Sequence, residues 1–184
     1  MPETNAKKIL RQEMKAIRAQ KASRLPNAGV QAKDIFLKHF SSFSNYALYY
    51  PMGDELSTLP LIEALQKLGK TICLPGLSGD EMIFRRWNGE TLQKSRYQFL
   101  EPPSYSEIIV PEVVIVPLLA FDRQGHRLGY GKGHYDRMLS KLRPNHEVIS
   151  VGYAFSFQEV ESVFSETHDE CLDYIVTEQG LVTI

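Results

Sequence analysis

The chain is organised around residues 113–142, VVIVPLLAFDRQGHRLGYGKGHYDRMLSKL. The stretch opens with four consecutive β-branched residues at 113–116, a run that is too short for a buried helix and typical of a strand covered on both faces. A glycine-rich loop follows, and helical spacing of apolar residues begins at Tyr135. A strand, a glycine-rich loop and a helix start together favour phosphate binding, because backbone N–H groups can approach an anion there and the helix dipole adds positive charge.

The glycine-rich loop does not match the common phosphate-binding signatures. A Walker A loop has Ser or Thr directly after its lysine, whereas Gly133 follows Lys132 here, and a dinucleotide fingerprint from Gly129 would need glycine at position 134. A tight turn between two elements is the alternative for any glycine-rich loop. The order RLGYGKGHYD at 127–136 is more specific than its glycines. Together with the preceding VPLLAFD, it resembles the signature of the 5-formyltetrahydrofolate cyclo-ligases, also called methenyltetrahydrofolate synthetases.

The composition is that of an ordinary globular protein. The 184 residues suit one domain, 1–184, and 43% hydrophobic and 23% charged residues are typical values. A net charge of −1 argues against a nucleic-acid binder that relies on global charge. No apolar run reaches membrane-spanning length, and the polar, basic N-terminus has no hydrophobic signal region. We therefore expect a cytoplasmic monomer that binds small molecules and neither nucleic acid nor membrane.

The two cysteines support the same compartment. Cys73 and Cys171 lie in or beside apolar segments and lack C-x-x-C spacing. Reduced thiols in a cytosolic protein are the favoured interpretation, with a disulfide as the minor alternative.

Apolar strands alternate with helical segments along the chain, which predicts a single-domain three-layer α/β/α fold. The sheet should be mixed but mostly parallel, with an antiparallel piece around residues 82–87. Thr4 or Asn5 is a candidate N-cap for the first helix, and the Asn88-Gly89 pair is a hairpin-type turn signal. The predicted helices cover residues 4–21, 27–40, 57–68 and a segment from 135, and the predicted strands cover 46–50, 71–74, 82–87, 113–116, 148–154, 174–177 and 181–184.

The first predicted helix carries cations on one face. Lys7, Arg11, Lys15 and Arg18 recur at spacings of four, four and three residues. A solvated face is the ordinary explanation of such a pattern. The resemblance changes this for part of the face, because family members begin with a similar K-x-x-L-R run whose cations contact ATP. It therefore assigns Lys7, Lys8 and Arg11 to ATP binding, while Lys15 and Arg18 remain predicted as solvated.

The resemblance also implies a folate-binding group after the first strand. Glu55 follows a strand end, where open α/β sheets place ligand-binding residues, although an exposed loop acid is the alternative. It stands where the family has a folate-binding glutamate, and Tyr50 matches a substrate-contacting position. A carboxylate suits a pterin, whose pyrimidine edge offers adjacent N–H donors. Tyr97 matches approximately an aromatic position that packs on folate, and a surface aromatic is its alternative.

The activity implied by the resemblance is the ATP-driven conversion of 5-formyltetrahydrofolate to 5,10-methenyltetrahydrofolate. Phosphorylation activates the formyl oxygen, the neighbouring folate amine attacks, and phosphate leaves. Lys132 and Arg127 would be the catalytic cations that balance charge on the triphosphate and on the transferred group. Tyr130 to His134 would face the formyl end of the folate. The loop residues assigned to ATP are Arg127, Gly129, Gly131, Lys132, Gly133, His134 and Tyr135.

Two acids are candidates for magnesium. Asp136 is the first choice, since Mg²⁺ prefers carboxylate oxygen together with substrate phosphates, and Asp173 matches a second acidic metal position of the family. The alternatives are an acid that complements the helix dipole at Asp136 and an ordinary strand-flanking acid at Asp173. His134 departs from the family, which more often has Tyr or Phe at this position, although a histidine ring can also stack and donate a hydrogen bond.

Two other classes of function compete with the cyclo-ligase. A non-catalytic module could bind nucleotide or folate on the same fold, but binding alone would not require both metal-type acids. Another enzyme on a similar sheet, such as a sugar-phosphate isomerase or a CoA transferase, would rest on fold analogy and leave the Lys7 and Arg11 pair unexplained.

Overall fold

The computed structural model describes residues 5–167 and 169–184. Thr4, one of the two predicted N-caps, lies outside these residues. The helices of the described chain are α1 (Asn5–Lys21), α2 (Ala28–Phe40), α3 (Leu59–Lys67) and α4 (His134–Leu142), with short 3-10 turns at Ala22–Arg24 and Ser156–Gln158. The strands are β1 (Asn45–Ala47), β2 (Thr71–Ser78), β3 (Glu81–Arg86), β4 (Gln93–Lys94), β5 (Leu100–Glu101), β6 (Val113–Val116), β7 (Ala120–Phe121), β8 (Arg127–Leu128), β9 (Ile149–Tyr153), β10 (Tyr174–Val176) and β11 (Leu181–Thr183).

The central sheet has the order β11-β10-β9-β6-β1-β2-β3. Its five inner strands are parallel, whereas β3 and β11 pair antiparallel with their neighbours at the two edges. Two small antiparallel pairs, β4 with β5 and β7 with β8, lie outside it. The predicted mixed, mostly parallel sheet is confirmed, including the antiparallel strand near residues 82–87.

The sheet is covered on both faces. Successive residues of a strand point to opposite faces, so neighbouring residues of one strand pack in different layers. Val113 and Ile115 pack in the cluster that contains α2 and α3, while Val114 and Val116 pack in the cluster that contains Met138 and Leu139 of α4. All four residues of β6 are buried. This explains the continuous apolar run in the sequence and confirms the three-layer fold.

Helix α1 packs away from the middle of the sheet. Its Met14 is buried in a third cluster with Leu119, Ala120 and Leu128, which come from the β7–β8 hairpin and the residues just before it. This hairpin follows β6 and leads directly into the glycine-rich loop. The first helix is therefore docked against the part of the chain that carries the loop.

Several predicted boundaries differ from the structure. Strand β2 continues through Pro75 to Ser78, because β3 pairs along its whole outer part while β1 pairs only with residues 71–73. Proline is tolerated where one side of a strand has no ladder partner. The hairpin signal at Asn88-Gly89 was also misleading, since β4 pairs with β5 and not with β3.

The order of the parallel strands fixes where a ligand should bind. In chain order they are β1, β2, β6, β9 and β10, and in space they run β2-β1-β6-β9-β10. The chain continues from β1 to β2 on one side of this pair and from β6 to β9 on the other side. The strand order therefore reverses between β1 and β6, which form a topological switch point. Open α/β sheets bind ligands outside the carboxyl ends of the strands at this point. No helix in the described part of the chain is long and apolar enough to span a bilayer.

Candidate active site

A cavity of about 430 Å³ opens at the carboxyl ends of β1 and β6. It brings together segments that are distant in sequence: α1, the turn after β1, the segment around Tyr97, the glycine-rich loop and the start of α4. The predicted site residues that line it are Lys7, Arg11, Tyr50, Glu55, Tyr97, Arg127, Gly129, Tyr130, Gly131, Lys132, Gly133, His134, Tyr135 and Asp136. Lys8 does not line it and is exposed on α1.

Two cations of α1 reach the cavity. Arg11 donates from Nε to the carbonyl oxygen of Gly129 at 2.8 Å. Lys7 is only 7% exposed, and its Nζ lies 2.6 Å from Asp169 and 3.5 Å from Glu166. Burial lowers the pKa of Arg11, and the charge of Asp169 opposes this effect. The helix thus brings fixed positive charge to one wall of the cavity.

The glycine-rich loop has a backbone that favours glycine at two positions. Gly131 has φ +92° and Gly133 has φ +59°, both in the left-handed region. A Cβ atom at Gly131 would lie 3.4 Å from the guanidinium carbon of Arg11. Gly133 is the N-cap residue of α4, whose first backbone N–H groups have no intrahelical acceptor. The loop and the helix start therefore offer backbone N–H groups of the kind that bind anions, beside the α1 cations.

Lys132 and His134 gather around the ring of Tyr97. The Nζ atom of Lys132 lies 4.7 Å from the ring centre, Arg96 lies 4.9 Å from it, and the imidazole of His134 lies 4.8 Å from it. Burial and the charges of Arg137, Lys132 and Arg96 lower the pKa of His134, which favours the neutral imidazole. Tyr97 therefore lines the cavity, and its role toward folate stays a prediction.

Arg127 and Asp136 hold each other across the loop. The guanidinium donates to Asp136 Oδ1 at 2.5 Å and to the carbonyl oxygen of Glu170. The same Oδ1 atom accepts from the Glu170 backbone N–H at 3.1 Å. The first turn of α4 is therefore tied to the segment before β10, and the Arg127 side chain is fixed at the cavity wall.

Glu55 is the buried acid of the site. It is 8% exposed, and it accepts from the Tyr130 hydroxyl at 2.6 Å and from the Met52 backbone N–H at 2.8 Å. Burial raises the pKa of Glu55, although both hydrogen bonds oppose the rise. Nearby, Tyr50 is partly buried and its ring packs edge-on against Trp87. The hydroxyl of Thr58 donates to the Tyr49 carbonyl oxygen at 2.6 Å and holds the segment that follows β1.

The prediction that Arg18 is solvated was wrong. Arg18 is 4% exposed and donates to Tyr130 Oη at 2.7 Å, to Asp54 Oδ1 at 2.9 Å and to the Leu118 carbonyl oxygen at 3.3 Å. Lys15, one turn earlier on the same face, is exposed as predicted. The spacing of the cations gave the shared face correctly, but it could not show which of them meets a partner.

A model of the 5-formyltetrahydrofolate cyclo-ligase family matches residues 3–178, nearly the whole chain. The chain belongs to this family. A 5-formyltetrahydrofolate cyclo-ligase of Escherichia coli K12 is 36% identical over 139 residues, which are 71% of this chain and 76% of that protein. The protein of the same name from Haemophilus influenzae is 34% identical over 133 residues, 68% of this chain and 71% of that protein.

Solved structures agree with the family assignment. The NMR structure of Aquifex aeolicus 5,10-methenyltetrahydrofolate synthetase superposes with a TM-score of 0.80 at 28% identity, covering 96% of this chain and 92% of that chain. A synthetase from Mycoplasma pneumoniae has the same fold, with a TM-score of 0.73 at 21% identity and coverage of 94% and 98%. The protein is thus an enzyme of the cyclo-ligase family, a ligase of folate metabolism.

The structure separates the two acids that the sequence assigned to metal. Asp136 lines the cavity of this cyclo-ligase family member, whereas Asp173 does not. Asp173 Oδ2 accepts from the Ser150 backbone N–H at 2.7 Å and lies 3.2 Å from Arg143. Asp169, four residues earlier, lines the cavity instead. The segment between the 3-10 turn at 156–158 and β10 is irregular, so no periodicity in the sequence distinguished the two acids.

The cavity acids fit one kind of metal site. In the residues that the structure describes, no group of three or more His, Cys, Asp or Glu side chains is arranged to hold an ion alone. Magnesium does not need such a cage, because it is bound by one or two carboxylates together with substrate phosphates and water. Asp136 and Asp169 line the same cavity as the glycine-rich loop, so the carboxylates present here are of the kind and number that a nucleotide-bound Mg²⁺ requires.

Proposed function

We propose that the protein uses ATP and Mg²⁺ to convert 5-formyltetrahydrofolate to 5,10-methenyltetrahydrofolate, with release of ADP and phosphate. The observation that carries this proposal is the composition of one cavity. One part of its lining is the glycine-rich loop with two cations of α1, and another part is a buried carboxylate with aromatic rings. A triphosphate suits the first part, which we call the ATP side, and a pterin with adjacent N–H donors suits the second, which we call the folate side.

The ATP side is formed by α1, the loop and the start of α4. Arg11 and Lys7 bring charge from α1, and the backbone N–H groups of residues 129–135 can surround phosphate oxygens. Lys132 is exposed and rests on Tyr97, so it can turn to a bound phosphate without breaking a salt bridge that the described structure contains. Arg127 is already fixed by Asp136 and Glu170 and provides a charge that requires no reorganisation.

The folate side is formed by Glu55 and the surrounding rings. Each Glu55 oxygen accepts one hydrogen bond, which leaves each oxygen a lone pair for the pyrimidine N–H groups. The rings of Tyr50 and Tyr97 offer faces for the flat pterin, and Met52, Pro75, Phe99 and Leu100 add apolar lining. This arrangement supports the substrate role assigned to Tyr50, Glu55, Tyr97 and residues 130–134.

The chemistry needs positioning and charge balance more than covalent help from the protein. The formyl oxygen attacks the γ-phosphorus of ATP and ADP leaves. The N10 amine then attacks the activated formyl carbon and loses its proton, and the C–O bond breaks to release phosphate. Lys132 and Arg127 balance the charge that moves onto the leaving groups. Bound Mg²⁺ would neutralise phosphate charge, with Asp136 and Asp169 as its protein ligands.

We further propose that residues 1–184 act as one domain and as a monomer. A single sheet collects strands from residue 45 to residue 183, which supports one cooperative unit. Light scattering during size-exclusion chromatography should give the mass of one chain, and a mass of two chains would contradict this.

The direct test is an assay of product formation. Purified protein with Mg²⁺, ATP and 5-formyltetrahydrofolate should form the strongly absorbing methenyl product in a one-to-one ratio with ADP. Matched reactions lack ATP, lack Mg²⁺ or contain Lys132→Ala. A protein that binds ATP and folate but yields no product would instead be a non-catalytic binding module.

A further inference from the structure

A chain of four polar side chains connects α1 to the folate side of the cavity. Asp54 pairs with Arg18 at 2.8 Å, Arg18 donates to the Tyr130 hydroxyl at 2.7 Å, and Tyr130 donates to Glu55 at 2.6 Å. Arg18 and Glu55 are both buried. A buried guanidinium is costly unless its donors are satisfied, so its position is fixed by these bonds.

The direction of the hydrogen bonds is determined by Arg18. Arginine has donors and no acceptor, so the Tyr130 oxygen must accept from it. The hydroxyl proton of Tyr130 is then available for Glu55, whose Oε1 accepts it at 2.6 Å. Without Arg18 the hydroxyl could rotate and accept from another donor, and Glu55 would lose a fixed partner.

We propose that Arg18 is a positioning residue: acting through the Tyr130 hydroxyl, it holds the Glu55 carboxylate as an acceptor for the ring N–H groups of the folate substrate. This inference rests on the folate site proposed above and adds a residue that does not line the cavity itself. It gives α1 a second role, in which Arg11 serves the ATP side and Arg18 serves the folate side.

The electrostatic surroundings of Glu55 support the same role. Burial raises the pKa of Glu55, while the Tyr130 hydroxyl, the Met52 N–H and the charge of Arg18 lower it, and the charge of Asp54 raises it. Burial raises the pKa of Tyr49 and of Tyr135, and the charge of Glu55 adds to the rise in both. Arg18 is therefore the cation that favours the ionised form of Glu55, the form that accepts two N–H bonds.

The test compares Arg18→Gln, Tyr130→Phe and the double variant, with Lys15→Gln as control. Lys15 lies on the same helix face and above the same Tyr130 ring, but it is exposed. Removing a hydrogen bond to a charged group predicts a rise of about 10-fold or more in the KM for 5-formyltetrahydrofolate. The KM for ATP should change less than about twofold for Tyr130→Phe. Because Arg18 acts through Tyr130, the double variant should be no worse than the poorer single variant.

The pH profile provides a readout that a purely structural role would not move. In wild type, kcat/KM for the folate should fall at low pH as Glu55 is protonated. Arg18→Gln removes the cation that favours ionisation, so this acid limb should shift upward by about 0.5 to 1 pH unit. Arg18→Lys keeps the charge and should return the limb toward wild type. Lys15→Gln should leave both the limb and the folate KM unchanged.

Three results would overturn the inference while wild type remains active. They are an unchanged folate KM in Tyr130→Phe, an unshifted acid limb in Arg18→Gln, and losses that simply add in the double variant. The Tm of each variant is measured to confirm that it folds. If Arg18→Gln does not fold, the acid limb of Arg18→Lys and the folate KM of Tyr130→Phe provide the test. An inactive wild type would instead contradict the proposed function.

Discussion

Replacing Asp136 by asparagine distinguishes its proposed role as a magnesium ligand from a stabilising interaction with the helix dipole. If Asp136 only complemented the helix dipole, Asp136→Asn would cost about 0.3 to 1 kcal/mol of stability and spare turnover. The structure adds a third contribution, because Asp136 Oδ1 accepts from the buried Arg127 guanidinium at 2.5 Å and from the Glu170 N–H at 3.1 Å. Asparagine keeps an acceptor oxygen but removes the charge.

The magnitude follows from the difference between charged and neutral hydrogen bonds. A bond to a charged group contributes about 1.5 to 3 kcal/mol and a neutral bond about 0.5 to 1.5, so the free energy of unfolding should fall by about 1 to 2 kcal/mol. For a protein of this size, that lowers Tm by roughly 2 to 8 °C. A magnesium ligand would in addition lose most of its turnover, partly recovered at high Mg²⁺ by mass action.

The measurement is a magnesium titration of initial rates beside thermal melts, for wild type, Asp136→Asn and Asp173→Asn. Asp173 is the matched control, because it is also an acid paired with arginine but lies outside the cavity. Only Asp136→Asn should need more Mg²⁺. Equal magnesium dependence in Asp136→Asn and wild type would refute the metal role, and an unchanged Tm would refute the coupling to Arg127.

Three further predictions concern single residues of the site. Lys132→Ala should weaken ATP use by roughly 10- to 100-fold in kcat/KM with an unchanged Tm, since the side chain is exposed; unaltered ATP kinetics would contradict its phosphate role. Gly131→Ala should lower the free energy of unfolding by about 1 to 3 kcal/mol, because alanine is strained at the φ of +92° found there. Gly129→Ala is the control and should leave stability unchanged, because its Cβ would meet nothing within 4 Å. Equal losses in the two variants would contradict strain at Gly131. Burial raises the pKa of Glu55, so ionisation of this acid lowers the stability of the wild type as pH rises through that pKa. Glu55→Gln lacks this loss, so the Tm of the variant minus the Tm of wild type should increase from pH ~4 to ~7. A difference that stays constant with pH would contradict the raised pKa.

The parts of the fold that the sequence predicted well are those with a local cause. The run Val113–Val116 is apolar at every position because both sheet faces are covered, and the loop at 127–136 is recognisable because its glycines and cations follow one another directly. Likewise the cation spacing on α1 placed Lys7 and Arg11 on one shared face, where the structure has Arg11 bonded to Gly129 and Lys7 paired with Asp169.

The parts that the sequence could not predict depend on partners far along the chain. Arg18 is buried because it meets Asp54 and Tyr130, which are 36 and 112 residues away, and nothing near Arg18 in the sequence signals them. Which of Asp169 and Asp173 lines the cavity depends on the path of an irregular segment, whose sequence has no helical or strand periodicity to indicate where each side chain points. Pro75 ended the predicted strand too early, since only the pairing with β3 shows that the ladder continues.

The docking of α1 has a consequence for the order in which the protein assembles. Arg11 is bonded to Gly129 across 118 residues and Lys7 to Asp169 across 162, so the helix that is synthesised first acquires these partners very late. Contacts of such long sequence separation close slowly, because a large loop must be ordered before they form. The α1 wall of the cavity therefore forms only after the chain has been made at least as far as Asp169, so an incomplete chain that ends before this residue lacks part of the cavity.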